Sequence, residues 1–228
     1  MAGITTQCQG WLASVGQTTA QASAALAGAG LNGNDLVTLM VGSHDLLAIV
    51  GDNKTPTAAE AEVMIDAARK RGEALGDVVL ATIATGARIL WTTVPYLNTA
   101  PIVTAEGYDG NVLYQMSIAF NNGLNNRVST VPSGGGRNGA IVEVDQLVNA
   151  YYLNAGAAYN AITNRVAAAC LTAGVPTPDA DLDTCTTTNV TPETSPLFYL
   201  WAGRIQYGAI THGLLGQTAV QRIRANPL

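Results

Sequence analysis

Few side chains in this chain are of types that support acid–base or nucleophilic chemistry. Its 228 residues include two histidines, His44 and His212, and three cysteines. Ser43 precedes His44, but neighbouring side chains at the end of a strand point in different directions, so we do not expect a Ser43–His44 dyad. His212 falls within the last predicted helix, where we expect a structural role. These residues alone therefore yield no nucleophile–base pair.

The cysteines are Cys8, Cys170 and Cys185. The last two bracket a polar stretch that contains prolines, and a disulfide closing such a loop would stabilise the fold by roughly 3 kcal/mol. Two free thiols are the alternative interpretation. We expect no metal site, because neither a CxxC motif nor a pair of histidines at ligand spacing occurs. A disulfide would indicate an oxidising compartment and would leave Cys8 as a small buried side chain.

The composition excludes several classes of function. The net charge is −5 and charged residues make up 12% of the chain, about half the usual quarter. Nucleic acid is not an expected partner, because phosphate binding needs clustered Lys and Arg. No apolar run reaches the roughly 18 residues of a transmembrane helix. Met1 leads into polar residues rather than into a signal peptide, but abundant Thr, Asn, Gln and Gly favour a secreted or surface protein.

The elements that must position these side chains alternate between strands and helices. Apolar runs predict strands at 36–41, 88–94 and 140–144, and the first is expected to be buried on both faces. Helices are predicted within 5–30, after the capping-box pattern of Thr57 and Glu60, and over 110–128, 145–155 and 207–224. This alternation predicts one domain over residues 1–228, a three-layer α/β/α sandwich with a parallel sheet.

Five segments, in order along the chain, resemble those of the SGNH/GDSL hydrolases, in particular their secreted lipase/esterase branch. They are NDLVTLMVGSHDLL, WTTVPYLNTAP, IAFNNGLNNRV, AGAAYNAITNRVAAAC and YLWAGRIQYGAITHGLLGQTA. The first resembles a strand that ends in a Gly-x-Asn-Asp motif, which Gly42 and Asp45 match. The last resembles the segment that carries the catalytic Asp and His. The resemblance implies a flavodoxin-like SGNH sandwich, and the branch's disulfide pattern implies a Cys170–Cys185 bridge.

The positions that carry catalysis in that family are substituted here. The family's nucleophilic Ser lies in a Gly-Asp-Ser motif after its first strand; this sequence contains no such motif, and we expect that strand to be absent. Gly203 stands at the position of the Asp, Gln206 at that of the His, and His44 at that of the Asn. Gly203 has no side chain to orient a base, and Gln206 cannot accept a proton near neutral pH. No catalytic set is expected to be intact.

These departures predict a degenerate, non-catalytic family member that acts as a structural or binding subunit of a periplasmic, extracellular or cell-surface assembly. Without the first family strand, the strand between Leu36 and Val41 would be an apolar edge. We therefore expect a second polypeptide or identical subunits to cover it.

Two alternatives stay open at this point. The chain could be a fragment of an active lipase/esterase whose serine lies in a missing N-terminal segment. It could instead be a lipid- or glycan-binding module that uses the old active-site cleft, for which Ser43, Tyr96 and Tyr207 are candidates. Core packing is the competing interpretation for the aromatic residues. No cofactor is expected.

Overall fold

The computed structural model of the chain describes residues 18–129, 138–155, 161–170 and 198–225. Helices and strands alternate through most of this length. The elements are α1 Thr19–Ala27, β1 Leu36–Leu39, α2 Ser43–Val50, α3 Ala58–Ala84, β2 Arg88–Thr92, α4 Ile102–Glu106, α5 Gly110–Val128, β3 Gly139–Val142, α6 Val144–Leu153, β4 Asn164–Ala168, β5 Tyr199–Trp201 and α7 Ala209–Ala225. A single 3₁₀ turn, Leu97–Thr99, follows β2.

Strands β1, β2 and β3 form a parallel sheet in that order. Leu39 of β1 pairs with Trp91 of β2, and Trp91 pairs with Ile141 of β3. Helix α3 connects the first two strands and α5 connects the second two, as parallel neighbours require. Strands β4 and β5 pair in a separate parallel ladder. The predicted α/β class and the parallel pairing of its strands are confirmed.

Helices α3 and α5 pack against each other at backbone distance. A Cβ atom on Gly72 of α3 would lie 2.0 Å from the Phe120 carbonyl oxygen, and one on Gly123 of α5 would lie 2.2 Å from the Arg69 carbonyl oxygen. Only glycine permits this approach, since both obstacles are main-chain atoms. Phe120 is fully buried, and its backbone lies against α3. The close packing of the two helices thus fixes the position of α5.

The helices agree with the sequence pattern better than the strands do. The helix predicted over 110–128 is α5, and Thr57 caps α3 through the predicted box, its hydroxyl accepting from the Glu60 amide while the Glu60 side chain accepts from the Thr57 amide. The strands are shorter than predicted, and α2 was not predicted at all. The expectation that 36–41 is buried on both faces is wrong for Leu36, which is 56% exposed. The physical reason is that β1 is an edge of the sheet within the described residues.

Several sequence predictions concern residues outside those ranges. They are the first part of the predicted helical region 5–30, together with Cys8 and Cys185. In the part of the chain that the structure covers, no helix combines the length and the apolar character needed to cross a bilayer.

Candidate functional site

Gly42 carries the chain from β1 into α2. Its φ of 120° favours glycine, and a Cβ there would lie 2.5 Å from Val94 Cγ1 and 2.6 Å from Phe120 Cζ. Ser43 and His44 follow as the first two residues of α2, and both are partly exposed. Consecutive helical residues do not face each other, so these positions do not align the two side chains as a dyad.

Asp45 connects α2 to α1. Its carboxylate is buried, and Oδ2 accepts hydrogen bonds from the Thr19 amide at 2.7 Å and the Thr19 hydroxyl at 2.9 Å. Thr19 is the first residue of α1, where the helix dipole favours a negative charge. Asp45 therefore fixes the start of one helix against another, which is a structural role.

Asn121 of α5 fixes the chain as it leaves β2. Its side-chain oxygen accepts from the Val94 amide, and its side-chain nitrogen donates to the Val94 carbonyl oxygen, both at 2.9 Å. The two bonds imitate a strand pairing at a place where the sheet has ended. One turn earlier, the buried Ser117 hydroxyl accepts from the Leu97 amide at 3.2 Å. Helix α5 thus holds the loop after β2 by two side chains.

The ends of β2 and β3 are joined by a second polar pair. The Thr93 hydroxyl donates to Asp145 Oδ1 at 2.6 Å and accepts from the Asp145 amide at 3.2 Å. Both side chains are buried. Gln146 extends this pair outward, because its Nε2 donates to the Tyr96 hydroxyl at 3.0 Å and to Asp145 Oδ2 at 3.3 Å. Burial raises the pKa of Tyr96, and the negative charge of Asp145 raises it further.

An open cleft of about 170 Å³ lies at this edge of the sheet. Its floor is the Thr93–Asp145 pair, and one wall is the polar face of α5. The lining residues are Thr93, Tyr96, Ile118, Asn121, Asn122, Asn125, Glu143, Asp145 and Gln146. Carboxylate, amide and hydroxyl groups therefore converge where the carboxyl ends of two parallel strands meet, which is the usual ligand position in α/β proteins.

Gly203 and Gln206, which the sequence resemblance aligns with a catalytic Asp and His, belong to a closed turn after β5. The Gln206 carbonyl oxygen accepts from the Ala202 amide at 2.8 Å and from the Gly203 amide at 3.4 Å. The Gln206 side-chain oxygen accepts from the Ile205 amide at 3.3 Å. Trp201 and Tyr207 pair as a bridge across the turn. The turn is thus closed by its own backbone.

Tyr207 points into the core from this turn. Its ring stacks on the fully buried Trp201 with a centroid separation of 5.4 Å, and His212 lies edge-on against it at 5.7 Å. Burial raises the pKa of Tyr207, and the nearby Asp145 charge adds to that. Burial lowers the pKa of His212. Tyr207 is therefore a core residue and does not line the cleft described above.

A partly buried ion-pair cluster holds the same turn from outside. Glu106 accepts from Arg204 at 2.5 Å and from Lys54 at 2.9 Å. Lys54 also lies over the Tyr108 ring, 4.8 Å from its centroid. Burial opposes the ionisation of Glu106, but its hydrogen bonds to the two cations hold its pKa below the ordinary value. The cluster fixes the turn at 203–206 against α4.

The structure separates the predicted site residues into three groups. Tyr96 lines the cleft, Tyr207 is in the core, and Ser43 opens α2. Two tryptophans close to these positions, Trp91 of β2 and Trp201 of β5, are buried. Cys170 is buried as well, and since Cys185 lies outside the described residues, the Cys170–Cys185 bridge stays a prediction.

Sequence reasoning missed the polar residues that build the cleft, above all Thr93, Asn121 and Asp145. A usable signal was present, because Thr93 lies at the end of the strand predicted at 88–94, Asp145 directly follows the strand predicted at 140–144, and parallel strands end at the same edge. The chain matches no protein-family model and no curated protein.

Proposed function

We propose that this chain is a degenerate, non-catalytic SGNH/GDSL-hydrolase-like domain that serves as a structural or binding subunit of a secreted or surface assembly. On this proposal the parallel sheet β1–β2–β3 belongs to a three-layer α/β/α sandwich of that family. The five resembling segments occur in the family's order, and Gly42 and Asp45 of the Gly-x-Asn-Asp motif have clear structural roles here.

The observation that carries the non-catalytic part is the chemistry of the turn after β5. A serine esterase needs a base for its nucleophile and a group that orients the base. Gly203 supplies no orienting group, and the side-chain oxygen of Gln206 accepts a hydrogen bond from the Ile205 amide in its own turn. Neither residue can take up the proton that a serine releases on attack.

The edge of β1 supports the role of an assembly subunit. Leu36 is an exposed large apolar side chain at the start of β1, and Thr38 on the same face of the strand is only partly buried. Edge strands with exposed apolar residues pair readily with other chains. Among the described residues β1 has a strand partner on one side only, and a second polypeptide or an identical subunit on the other side would complete the hydrogen bonding of the strand.

Ester hydrolysis by the purified chain tests the first part of the proposal. With p-nitrophenyl acetate and butyrate we expect turnover at the buffer rate, equal in the wild type and in Ser43→Ala and His44→Ala. We also expect no labelling by a fluorophosphonate probe, with an authentic serine esterase as the positive control. Turnover that either substitution abolishes would sink the proposal and would identify Ser43 or His44 as catalytic.

Sedimentation velocity tests the second part. Leu36→Lys places a charge on the strand edge, whereas Val63→Lys changes an equally apolar side chain that is 70% exposed on α3. We expect material isolated from its native source to sediment as a complex, which Leu36→Lys dissociates and Val63→Lys does not. A monomer in both the native and the purified material would contradict the assembly role.

The fragment of an active lipase/esterase is the competing hypothesis, and the same native material decides it. That hypothesis requires a companion peptide with a Gly-Asp-Ser motif, visible by mass spectrometry and labelled by the fluorophosphonate. A companion peptide without such a serine supports the structural role instead.

A further inference from the structure

We propose that the cleft between α5 and the ends of β2 and β3 binds one neutral sugar unit of a glycan. This inference rests on the binding role proposed above and gives that role a ligand class. The cleft lies on strand ends that buried hydrogen bonds hold rigidly, so its shape exists before a ligand arrives. Preformed geometry reduces the ordering cost of binding.

The lining groups match hydroxyl-rich ligands. Asp145 and Glu143 can accept hydrogen bonds from sugar hydroxyls, while the side-chain amides of Asn122 and Asn125 both donate and accept. Those two amides are exposed on the helix wall of the cleft. Several alternating donors and acceptors within one small cleft suit a ring that carries neighbouring hydroxyl groups.

Tyr96 adds an aromatic side chain to the same cleft. Its ring meets Tyr114 edge-on at a centroid distance of 5.1 Å, and its hydroxyl accepts from Gln146, so both ends of the side chain are held. A fixed aromatic ring beside hydrogen-bonding groups offers a surface to the apolar C–H face of a pyranose. The combination of a fixed ring and polar partners distinguishes this cleft from an ordinary polar groove.

The same lining disfavours the other ligand classes. No Lys or Arg is among the residues that line the cleft, and at its rim Arg222 already pairs with Glu143 at 3.1 Å. A phosphate or carboxylate would therefore face two carboxylates without a cation of its own. A fatty acyl chain would need an apolar pocket, and pockets for larger ligands measure about 300–1,000 Å³. Among the described residues, no group of three or more His, Cys, Asp or Glu is placed to hold a metal ion.

Saturation-transfer NMR and calorimetry on the purified full chain test this inference. The probes are the methyl glycosides of glucose, galactose, mannose and N-acetylglucosamine, with decanoate, ethanolamine and inorganic phosphate as comparisons. We expect at least one glycoside to bind in the millimolar range, and none of the three comparison compounds to compete with it. The variants Asn125→Leu and Gln146→Leu each remove groups that can bond a sugar, so each should weaken binding roughly three- to ten-fold.

Asn126→Leu is the matched control, because Asn126 is an exposed neighbour on α5 that does not line the cleft. The affinity of Asn126→Leu for the glycoside should stay within about two-fold of the wild type, because the substituted side chain lies outside the cleft. The inference is overturned if no glycoside binds, if Asn125→Leu and Asn126→Leu bind equally well, or if a comparison compound occupies the cleft instead. These failures leave the esterase result untouched, and ester turnover would refute the non-catalytic role whether or not a sugar binds.

Discussion

Two Gly→Ala substitutions in helices should change stability in opposite directions. Gly72 lies in α3 against the backbone of α5. Gly216 lies in α7, where a Cβ added to the glycine would have no neighbouring atom within 4 Å. Alanine is favoured over glycine inside a helix by about 1 kcal/mol. That gain applies at both positions, so any difference between the two variants measures the packing of α3 on α5.

The packing cost at Gly72 can be worked out from one distance. A Cβ there would lie 2.0 Å from the Phe120 carbonyl oxygen, whereas ordinary contacts begin at 3.4 Å. The shortfall is 3.4 − 2.0 Å, or about 1.4 Å, and a backbone atom cannot rotate away as a side chain can. Overpacking a core costs about 1–3 kcal/mol, and parting two helices lies at the upper end of that range. After the propensity gain, Gly72→Ala should be destabilised by about 2 kcal/mol and Gly216→Ala stabilised by about 0.5–1 kcal/mol.

Urea denaturation followed by circular dichroism at 222 nm measures both changes. The m-value should be the same in both variants and the wild type, so that the midpoints can be compared directly. Equal free energies of unfolding for Gly72→Ala and Gly216→Ala would refute the reasoning, since helix propensity alone would then explain both. A shift of the Phe120 backbone in Gly72→Ala would also disturb the cleft, because the next residue, Asn121, holds Val94 in place through its side chain.

Three further predictions concern the polar contacts around the site. Asn121→Ala leaves a buried amide and carbonyl without partners and should cost about 2–4 kcal/mol by urea denaturation, against under about 0.5 kcal/mol for the exposed neighbour Asn122→Ala. The pKa of His212 is lowered by burial, so protonating this side chain costs more in the folded than in the unfolded chain. Its contribution to stability is therefore present above the pKa that His212 has in the unfolded chain and is lost as the pH falls. Thermal melts between pH 7 and 5 should show a steeper loss of stability for the wild type than for His212→Gln. The pKa of Glu106 is also lowered, so the ionised carboxylate stabilises the fold and this contribution is lost as the pH falls. Glu106→Gln should have the lower melting temperature at pH 5 but should lose less stability than the wild type between pH 5 and pH 3. Parallel falls of the two melting temperatures would contradict this.

Local sequence patterns predicted the longer helices, such as α3 and α5, because their signals are themselves local. The capping box of Thr57 and Glu60 spans three residues, and the period of α5 repeats within one segment. The end of β1 was harder to predict. Gly42, three residues after β1, turns the chain into α2 with a positive φ, and Val94 and Phe120, which are distant in sequence, leave no room there for a Cβ. Helix α2 begins directly after it and carries an apolar pattern too short to separate helix from strand.

The candidate site shows the same limit more strongly. Thr93 and Asp145 are hydrogen-bonded across 52 residues, and Asn121 reaches back 27 residues to Val94. Each of these residue types is common in loops, so none stands out by its spacing. The rule that parallel strands end at one edge would have brought Thr93 and Asp145 together, but it does not reveal that α5 would supply the amide wall.

The turn after β5 and the cleft differ in a way that supports the proposed binding role over a catalytic one. Catalysis by an Asp and a His at positions 203 and 206, as the sequence resemblance implies, would require both side chains to project from that turn towards a nucleophile. Here the turn is closed by its own amides, held by the Arg204–Glu106 pair, and anchored by Tyr207 in the core. Introducing Asp at 203 and His at 206 would therefore supply the side-chain types without the geometry. The strand ends at Thr93 and Asp145, by contrast, are polar, held by buried hydrogen bonds and bordered by the exposed amides of Asn122 and Asn125, an arrangement that supports the proposed binding of a ligand that is not transformed.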